Sequence, residues 1–228
     1  MQEQLEERGY AIVEQAYTKD EVSAIREAIA AAGIEREFGV REFLLRVPRV
    51  TPLLFTDGLR ELLQGLLPGG ARVIRSIYFD KPPDANWIVN WHQDLSVNLT
   101  HREEHPGFCN WRNVRGQAVV QPPEDLLRRI ITVRIHLDAC TEANGALRVV
   151  PGSHHQGIVR MKDWQRTEPE LVCEVPEGGL LLMKPLLLHA SRRTENARNR
   201  RVIHLECTDA DLPGTLAWNE AVAIPDLT

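Results

Sequence analysis

Ile130-Ile131-Thr132-Val133-Arg134-Ile135-His136-Leu137 decides the fold class, because its side chains alternate in character. Successive residues of an extended chain point to opposite faces. Ile131, Val133, Ile135 and Leu137 therefore make an apolar row, with Ile130, Thr132, Arg134 and His136 on the other side. This pattern predicts a strand with one face in the core and one facing more polar surroundings. Arg72 to Phe79 reads similarly, with Val73, Ile77 and Phe79 set against Arg72, Ser76 and Tyr78. Shorter strands are expected near Leu147–Val150, Leu171–Val175, Gly179–Met183 and Arg201–Cys207. Asn144-Gly145, Pro151-Gly152 and Glu177-Gly178-Gly179 punctuate them as turns.

Upstream, the period lengthens. Thr18-Lys19-Asp20-Glu21 is a capping box, and Val22, Ile25, Ala28 and Ile29 follow it at helical spacing up to Gly33. Leu59, Leu62, Leu63 and Leu66 form the apolar stripe of a second helix from Asp57 through Leu67, ended by Pro68-Gly69-Gly70. Helices followed by many short strands predict an α+β fold with a sandwich or jelly-roll core. The chain shows no repeat and no low-complexity linker, so one domain over 1–228 is expected, with 1–70 a mainly helical flank and 71–210 the core. Asn98 to Glu124, with Pro106, Gly107, Gly116, Pro122 and Pro123, reads as a long irregular loop and a candidate lid.

Composition narrows the function. Hydrophobic residues make up 43 % of the 228, enough to bury a core and too many for a disordered chain. The net charge of −5 gives no support to a nucleic-acid or membrane partner. Cys109, Cys140, Cys173 and Cys207 form no CxxC, which fits reduced thiols in a cytoplasmic protein. The first fifteen residues lack the basic and apolar segments of a signal peptide, and no apolar run reaches membrane-spanning length.

The chemistry begins at Asn90-Trp91-His92-Gln93-Asp94. In a strand, His92 and Asp94 share a face and can present an imidazole and a carboxylate to one metal. Alone, such a pair is weak evidence. His189 follows the apolar run Leu180 to Leu188, where an imidazole is costly to bury without a partner. Two histidines and one carboxylate leave metal positions open, which suits non-haem iron(II); zinc can use the same donors. A 2-oxo diacid bound there needs a cation for its far carboxylate, and arginine's planar fork fits. Arg198, Arg200 and Arg201 are available. Strand parity places Arg200, Val202, His204 and Glu206 on the polar face and Arg201, Ile203 and Leu205 on the apolar one, which favours Arg200.

From about Arg75 to Glu206 the chain resembles the phytanoyl-CoA dioxygenase family of iron(II)/2-oxoglutarate oxygenases. The resemblance is carried by Phe79-Asp80-Lys81-Pro82-Pro83, Trp91-His92-Gln93-Asp94, the block Asn144-Gly145-Ala146-Leu147-Arg148-Val149-Val150-Pro151-Gly152-Ser153-His154, and His189-Ala190-Ser191 followed by Arg200. It implies a double-stranded β-helix (a cupin-like jelly roll) flanked by N-terminal helices. It also implies iron(II), 2-oxoglutarate and dioxygen, a small-molecule substrate, and release of succinate and carbon dioxide. By position, it implies His92, Asp94 and His189 as iron ligands and catalytic centre. Arg200 and Ser191 would meet the distal carboxylate of 2-oxoglutarate, with Gln93, Ile77 and Arg134 lining its pocket and Arg41 a looser match. Arg134 departs from the aromatic residue of the animal enzymes, and His136 shares its strand face. Arg201 stays an alternative to Arg200, because Arg192-Arg193-Thr194-Glu195-Asn196-Ala197 departs from the family pattern. Related halogenases carry a small residue where Asp94 stands, so Asp94 implies hydroxylation or another oxidation. His154 and His155 belong to a turn, and Trp87 and Trp91 to the core or pocket wall. The competing readings are a metal-binding jelly-roll protein without catalysis and a zinc hydrolase. Family members act on acyl-CoA thioesters, solute precursors and natural products, so the resemblance does not choose a substrate.

Overall fold

The computed structural model describes residues 1–34, 37–81, 88–165, 167–193 and 199–225. Trp87, Arg198 and the segment 194–197 lie outside them. The chain opens with α1 (Gln2–Arg8), β1 (Tyr10–Val13) and α2 (Lys19–Ala30), then β2 (Val40–Arg41), α3 (Phe43–Arg46), α4 (Thr51–Leu54) and α5 (Asp57–Leu66). There follow β3 (Arg72–Lys81), β4 (Val89–His92), β5 (Val97–Leu99), β6 (Cys109–Val114), β7 (Gln117–Gln121), α6 (Glu124–Arg128) and β8 (Ile130–His136). The chain closes with β9 (Leu147–Val149), β10 (Leu171–Cys173), β11 (Leu180–Met183), β12 (His189–Ser191), β13 (Arg200–Thr208) and β14 (Val222–Ala223).

A seven-stranded sheet runs β1-β11-β8-β13-β3-β14, with β2 on the flank of β3, and a four-stranded sheet runs β10-β9-β12-β4. Every pairing is antiparallel. This is the expected α+β jelly roll. All seven residues of β8 are buried, which explains the mixed character of its sequence. Val133 and Ile135, with Ile203 and Leu205 of β13, pack outward against the helices in one cluster containing Val22, Ile25, Phe43 and Leu63. Burying each such side chain stabilises the fold by roughly 1.5–3 kcal/mol. The other face, with Thr132, Arg134 and His136, turns toward the smaller sheet. Leu181 and Met183 of the large sheet meet Leu147, Val149 and Cys173 of the small one there.

The capping box forms as expected: Thr18 Oγ1 accepts from Glu21 N–H, and Glu21 Oε2 accepts from Thr18 N–H at 2.7 Å. The mainly helical flank also contains β1, which pairs with β11 in the large sheet; four residues are too few to show periodicity. One expectation needs correction. The stretch read as a long irregular loop forms part of a three-stranded sheet, β5-β7-β6. β6 and β7 join through Arg115 and Gly116, at φ 54° and 85°, a two-residue turn whose left-handed backbone conformation matches the right-handed twist of the two strands. The usual Asn-Gly signal is replaced by Arg-Gly, which hid it.

Candidate active site

β4 and β12 lie side by side, with His92 opposite His189. The two imidazoles stand 4.1 Å apart between ring centres, at 52°. β4 ends at His92, so Asp94 is placed by the turn that follows rather than by strand parity. That turn is held firmly. Asp94 N–H donates to Pro185 O at 2.9 Å. The Gln93 amide donates to Gly157 O (2.8 Å) and Leu186 O (2.6 Å) and accepts from Val159 N–H (2.8 Å). Each of these contacts is to backbone, so Gln93 acts on the site by fixing the chain between His92 and Asp94.

The result is a convergence of lone pairs. His92 Nδ1 lies 2.8 Å from Asn90 O and His189 Nδ1 lies 2.9 Å from Leu187 O. A carbonyl only accepts, so each Nδ1 carries the proton and each Nε2 is left as an acceptor. The Nε2 atoms face the Asp94 carboxylate at 3.7 and 3.6 Å, too far for hydrogen bonds. One ligand atom from each of the three residues lies within 4.8 Å of the others. Three acceptors aimed at one point, with the second nitrogen of each ring already satisfied, is the donor set a divalent cation fits. Burial pushes the His189 pKa down to about 4 against the pull of Asp94, so the ring is neutral at pH 7. Burial also opposes the Asp94 charge, but His189, His204, His92 and Arg75 outweigh it and hold the carboxyl below its usual range.

Deeper in the same interior lie two guanidinium groups. Arg200 is buried and donates through Nη1 to Gly145 O, two residues before Leu147, the register partner of Ser191. Ser191 is buried on the His189 side of β12. Arg201 points to the opposite face and is committed elsewhere: its Nε and Nη2 lie 2.8 and 2.7 Å from the two oxygens of Asp138. Parity thus separates neighbours that the sequence left as alternatives. Arg134 is buried too, and its Nη1 donates to His204 Nδ1 at 3.0 Å. That bond leaves the His204 proton on Nε2, which faces Glu206 Oε1 at 3.4 Å. Glu206 in turn pairs with Arg75 Nη1 at 2.7 Å. Burial, then the nearby Arg200, lowers the Arg134 pKa to about 10, so it stays charged at pH 7. Arg134 Nε, Thr132 Oγ1 and both ring nitrogens of His136 are buried without a hydrogen-bond partner. Unsatisfied polar atoms gathered on one inward face are groups that a polar ligand would satisfy. Ile77 is half-buried on the same face of the sheet, opposite His204.

His204, Glu206 and Arg75 were not singled out as site residues, although the alternation of β13 places His204 and Glu206 on the Arg200 face. The role of Gly145 could not be read, because it acts through its carbonyl. His154 and His155 bind the backbone of α1, at Glu6 O (2.9 Å) and Glu7 O (3.3 Å), away from the convergence.

Two predictions arise here. Gly145 sits at φ 79°, and a Cβ would lie 2.8 Å from Arg192 O and 3.6 Å from Arg200 Nη1. Gly145→Ala should cost about 1–2 kcal/mol, a fall of roughly 2–8 °C in melting temperature for a chain of this size, and should weaken whatever Arg200 binds. Thermal melts and ligand titration check both. His136 is held neutral well below its ordinary pKa by burial, then by Arg134 and Arg200. The unfolded chain therefore takes up a proton below pH ~6.5 that the folded chain refuses. Stability from this group is complete above that pH and falls as pH drops below it, by up to about 1.4 kcal/mol per pH unit. The His136→Phe variant should show a pH slope of stability shallower by that amount in urea melts of metal-free protein between pH 7 and 5.

A jelly roll carrying two imidazoles and a carboxylate at its mouth, with a buried guanidinium further in, is the framework of 2-oxoglutarate-dependent oxygenases. The phytanoyl-CoA dioxygenase (PhyH) family model matches residues 5–202, and the chain belongs to that family. A search of curated proteins found no match to the sequence. Among solved structures, EctD from S. alaskensis with 2-oxoglutarate and 5-hydroxyectoine aligns at 17 % identity and TM-score 0.69, over 91 % of this chain and 74 % of that one. The α-ketoglutarate-dependent carbocyclase SnoK from nogalamycin biosynthesis aligns at 17 % and 0.68, over 92 % and 83 %. The non-haem monooxygenase ThoJ aligns at 16 % and 0.70, over 99 % and 84 %. At these identities the likeness speaks for the fold. Among the described residues no helix is long and apolar enough to cross a membrane.

Proposed function

We propose that this chain is an iron(II)- and 2-oxoglutarate-dependent oxygenase that hydroxylates a C–H bond of a small molecule, releasing succinate and carbon dioxide. One observation carries the reading: the His92, Asp94 and His189 ligand atoms converge within 4.8 Å in the interior that also holds the buried Arg200. Iron(II) bound there would supply dioxygen activation coupled to oxidative decarboxylation of the 2-oxo acid. His92 and His189 would bind it through Nε2 and Asp94 through a carboxylate oxygen. Asn90 O and Leu187 O keep each ring turned to present that nitrogen. Arg200 pairs with the distal carboxylate of 2-oxoglutarate, with Ser191 beside it. Arg134 adds a second positive charge on the same side, and Ile77 gives the pocket an apolar wall. Gln93 keeps Asp94 in register with the rings. The related fold of HygX from Streptomyces hygroscopicus has been seen with iron, and with nickel and 2-oxoglutarate, which supports this choice of metal and co-substrate. The four cysteines of this chain form no disulfide among the described residues, which fits a reducing, cytoplasmic setting.

The test is iron(II)-dependent conversion of 2-oxoglutarate to succinate, in air and under argon, with a panel of small-molecule substrates. Oxygen-dependent succinate tied to substrate hydroxylation supports the reading. Metal binding with no succinate would favour a non-catalytic metal-binding protein, and turnover that survives without oxygen would favour a hydrolase.

A further inference from the structure

A hollow of about 510 Å³ opens between β2, β3 and the β6–β7 hairpin. Ile77, which lines it, sits opposite His204 on the inward face of β3. Arg75, also in its wall, donates to the carbonyl of Ser96, two residues past Asp94, at 2.8 Å. The hollow therefore adjoins the metal-facing interior.

Its charges do not balance. Three acidic side chains line it, and each is engaged. Glu37 is held by both Nη atoms of Arg46 at 2.9 and 2.8 Å. Glu42 Oε1 accepts from Gln117 Nε2 (2.9 Å) and Asn219 Nδ2 (2.7 Å). Glu220 accepts from Ser76 N–H at 2.7 Å and from its hydroxyl. Arg75 is bound to Glu206 and Asn98. Arg41, Arg112 and Arg115 are left over. They enter from β2, β6 and the hairpin turn, are exposed, and none makes a side-chain hydrogen bond or ion pair among the described residues.

Backbone strain falls in the same place. Only Glu42, Asn110 and Arg115 among the described non-glycine residues have positive φ, and Glu42 and Arg115 both line this hollow. A left-handed arginine in a two-residue turn costs about 1–2 kcal/mol where glycine or asparagine would not. Strain of this kind collects at ligand-binding sites.

We propose that this hollow binds the anionic group of the primary substrate, a carboxylate or a phosphate, clasped by Arg41, Arg112 and Arg115, so that the enzyme acts on small acidic molecules. The proposal deepens the oxygenase reading and rests on it for the word substrate. The anion site itself does not depend on metal. Guanidinium forks pair with either oxyanion, and three of them around one cavity give both affinity and orientation. With its acid anchored in the hollow, the rest of the molecule would extend past Ile77 toward the metal site.

The test uses metal-free full-length protein at low ionic strength, with citrate as the carboxylate probe, pyrophosphate as the phosphate probe and triethyl citrate as the neutral control, read by calorimetric titration. The expected result is saturable, salt-sensitive 1:1 binding of at least one acidic probe and none of the neutral one. The tighter probe identifies the group. The triple variant R41Q/R112Q/R115Q should bind at least tenfold more weakly, while R41K/R112K/R115K should recover part of the loss because charge is kept. Wild-type protein that binds neither probe, or a glutamine variant that binds as tightly as wild type, would overturn the proposal. Iron-dependent consumption of 2-oxoglutarate by the wild type is measured separately. Its absence, with arginine-dependent probe binding intact, would remove the oxygenase reading and leave the anion site standing.

Discussion

Asp94→Ala is expected to abolish metal-dependent succinate formation and, with it, the stabilisation that metal binding gives the fold. The two halves of this result have one cause. In the folded chain the Asp94 carboxylate faces two imidazole lone pairs at 3.7 and 3.6 Å with no proton to share. Three acceptors without a donor are a set that a cation satisfies. Removing the carboxylate removes one of the three metal ligands. Loss of an outer partner of a metal ligand costs ~10–100-fold in affinity or activity, so loss of the ligand itself should cost more than ~100-fold. Metal binding should also separate the proteins in thermal melts. Wild type should gain about 2.7 kcal/mol at a metal concentration of ~100 times Kd, and the variant little. Substantial succinate formation by Asp94→Ala, or a metal-induced stabilisation equal to wild type, would contradict this account.

Arg200→Met should raise the half-saturating concentration of 2-oxoglutarate with a smaller effect on turnover at saturation. Truncating one partner of a buried charge pair costs roughly 2–5 kcal/mol, which is about 30-fold or more in affinity at ~1.4 kcal/mol per decade. Methionine keeps much of the volume, so the loss should come from the missing guanidinium. The variant should also discriminate less between 2-oxoglutarate and 2-oxobutyrate, which lacks the distal carboxylate. Arg201→Gln is the matched control. It breaks the pair with Asp138, so it should lower the melting temperature and leave 2-oxoglutarate half-saturation nearly unchanged. Steady-state kinetics on the two variants decides between the neighbours, and an unchanged co-substrate dependence for Arg200→Met would remove Arg200 from the site.

The large sheet was legible because its strands carry alternation that burial makes obligatory: β8 and β13 each separate an apolar face toward the helices from a more polar face inward. The helices α2 and α5 were legible through capping and spacing. Short strands were legible where turn residues frame them, as for β9, β10 and β11, whereas β1 and β12 were not; β1 acquires its place only by pairing with β11 across about 170 residues. The β5–β7 sheet was hidden by prolines and by an arginine where a hairpin usually has asparagine. At the candidate site, residue types pointed to His92, Asp94, His189 and Arg200, and strand parity favoured Arg200 while leaving Arg201 as an alternative. What sequence could not give was anything supplied by the backbone. The carbonyls of Asn90 and Leu187 orient the two rings, Gly145 O holds Arg200, and three backbone groups fix Gln93. The excess of arginine around the hollow was equally invisible, since it depends on which acids are already engaged.

The central claim is that three side chains and one deeper guanidinium form a single site for a metal and a 2-oxo diacid. A crystal structure of the protein with manganese(II) and 2-oxoglutarate under argon tests it most directly. The account predicts manganese bound by His92 Nε2, His189 Nε2 and an Asp94 oxygen, chelated by the 2-oxo acid, with the distal carboxylate paired to Arg200. Manganese at another cluster, or a diacid whose far end turns away from Arg200, would contradict it.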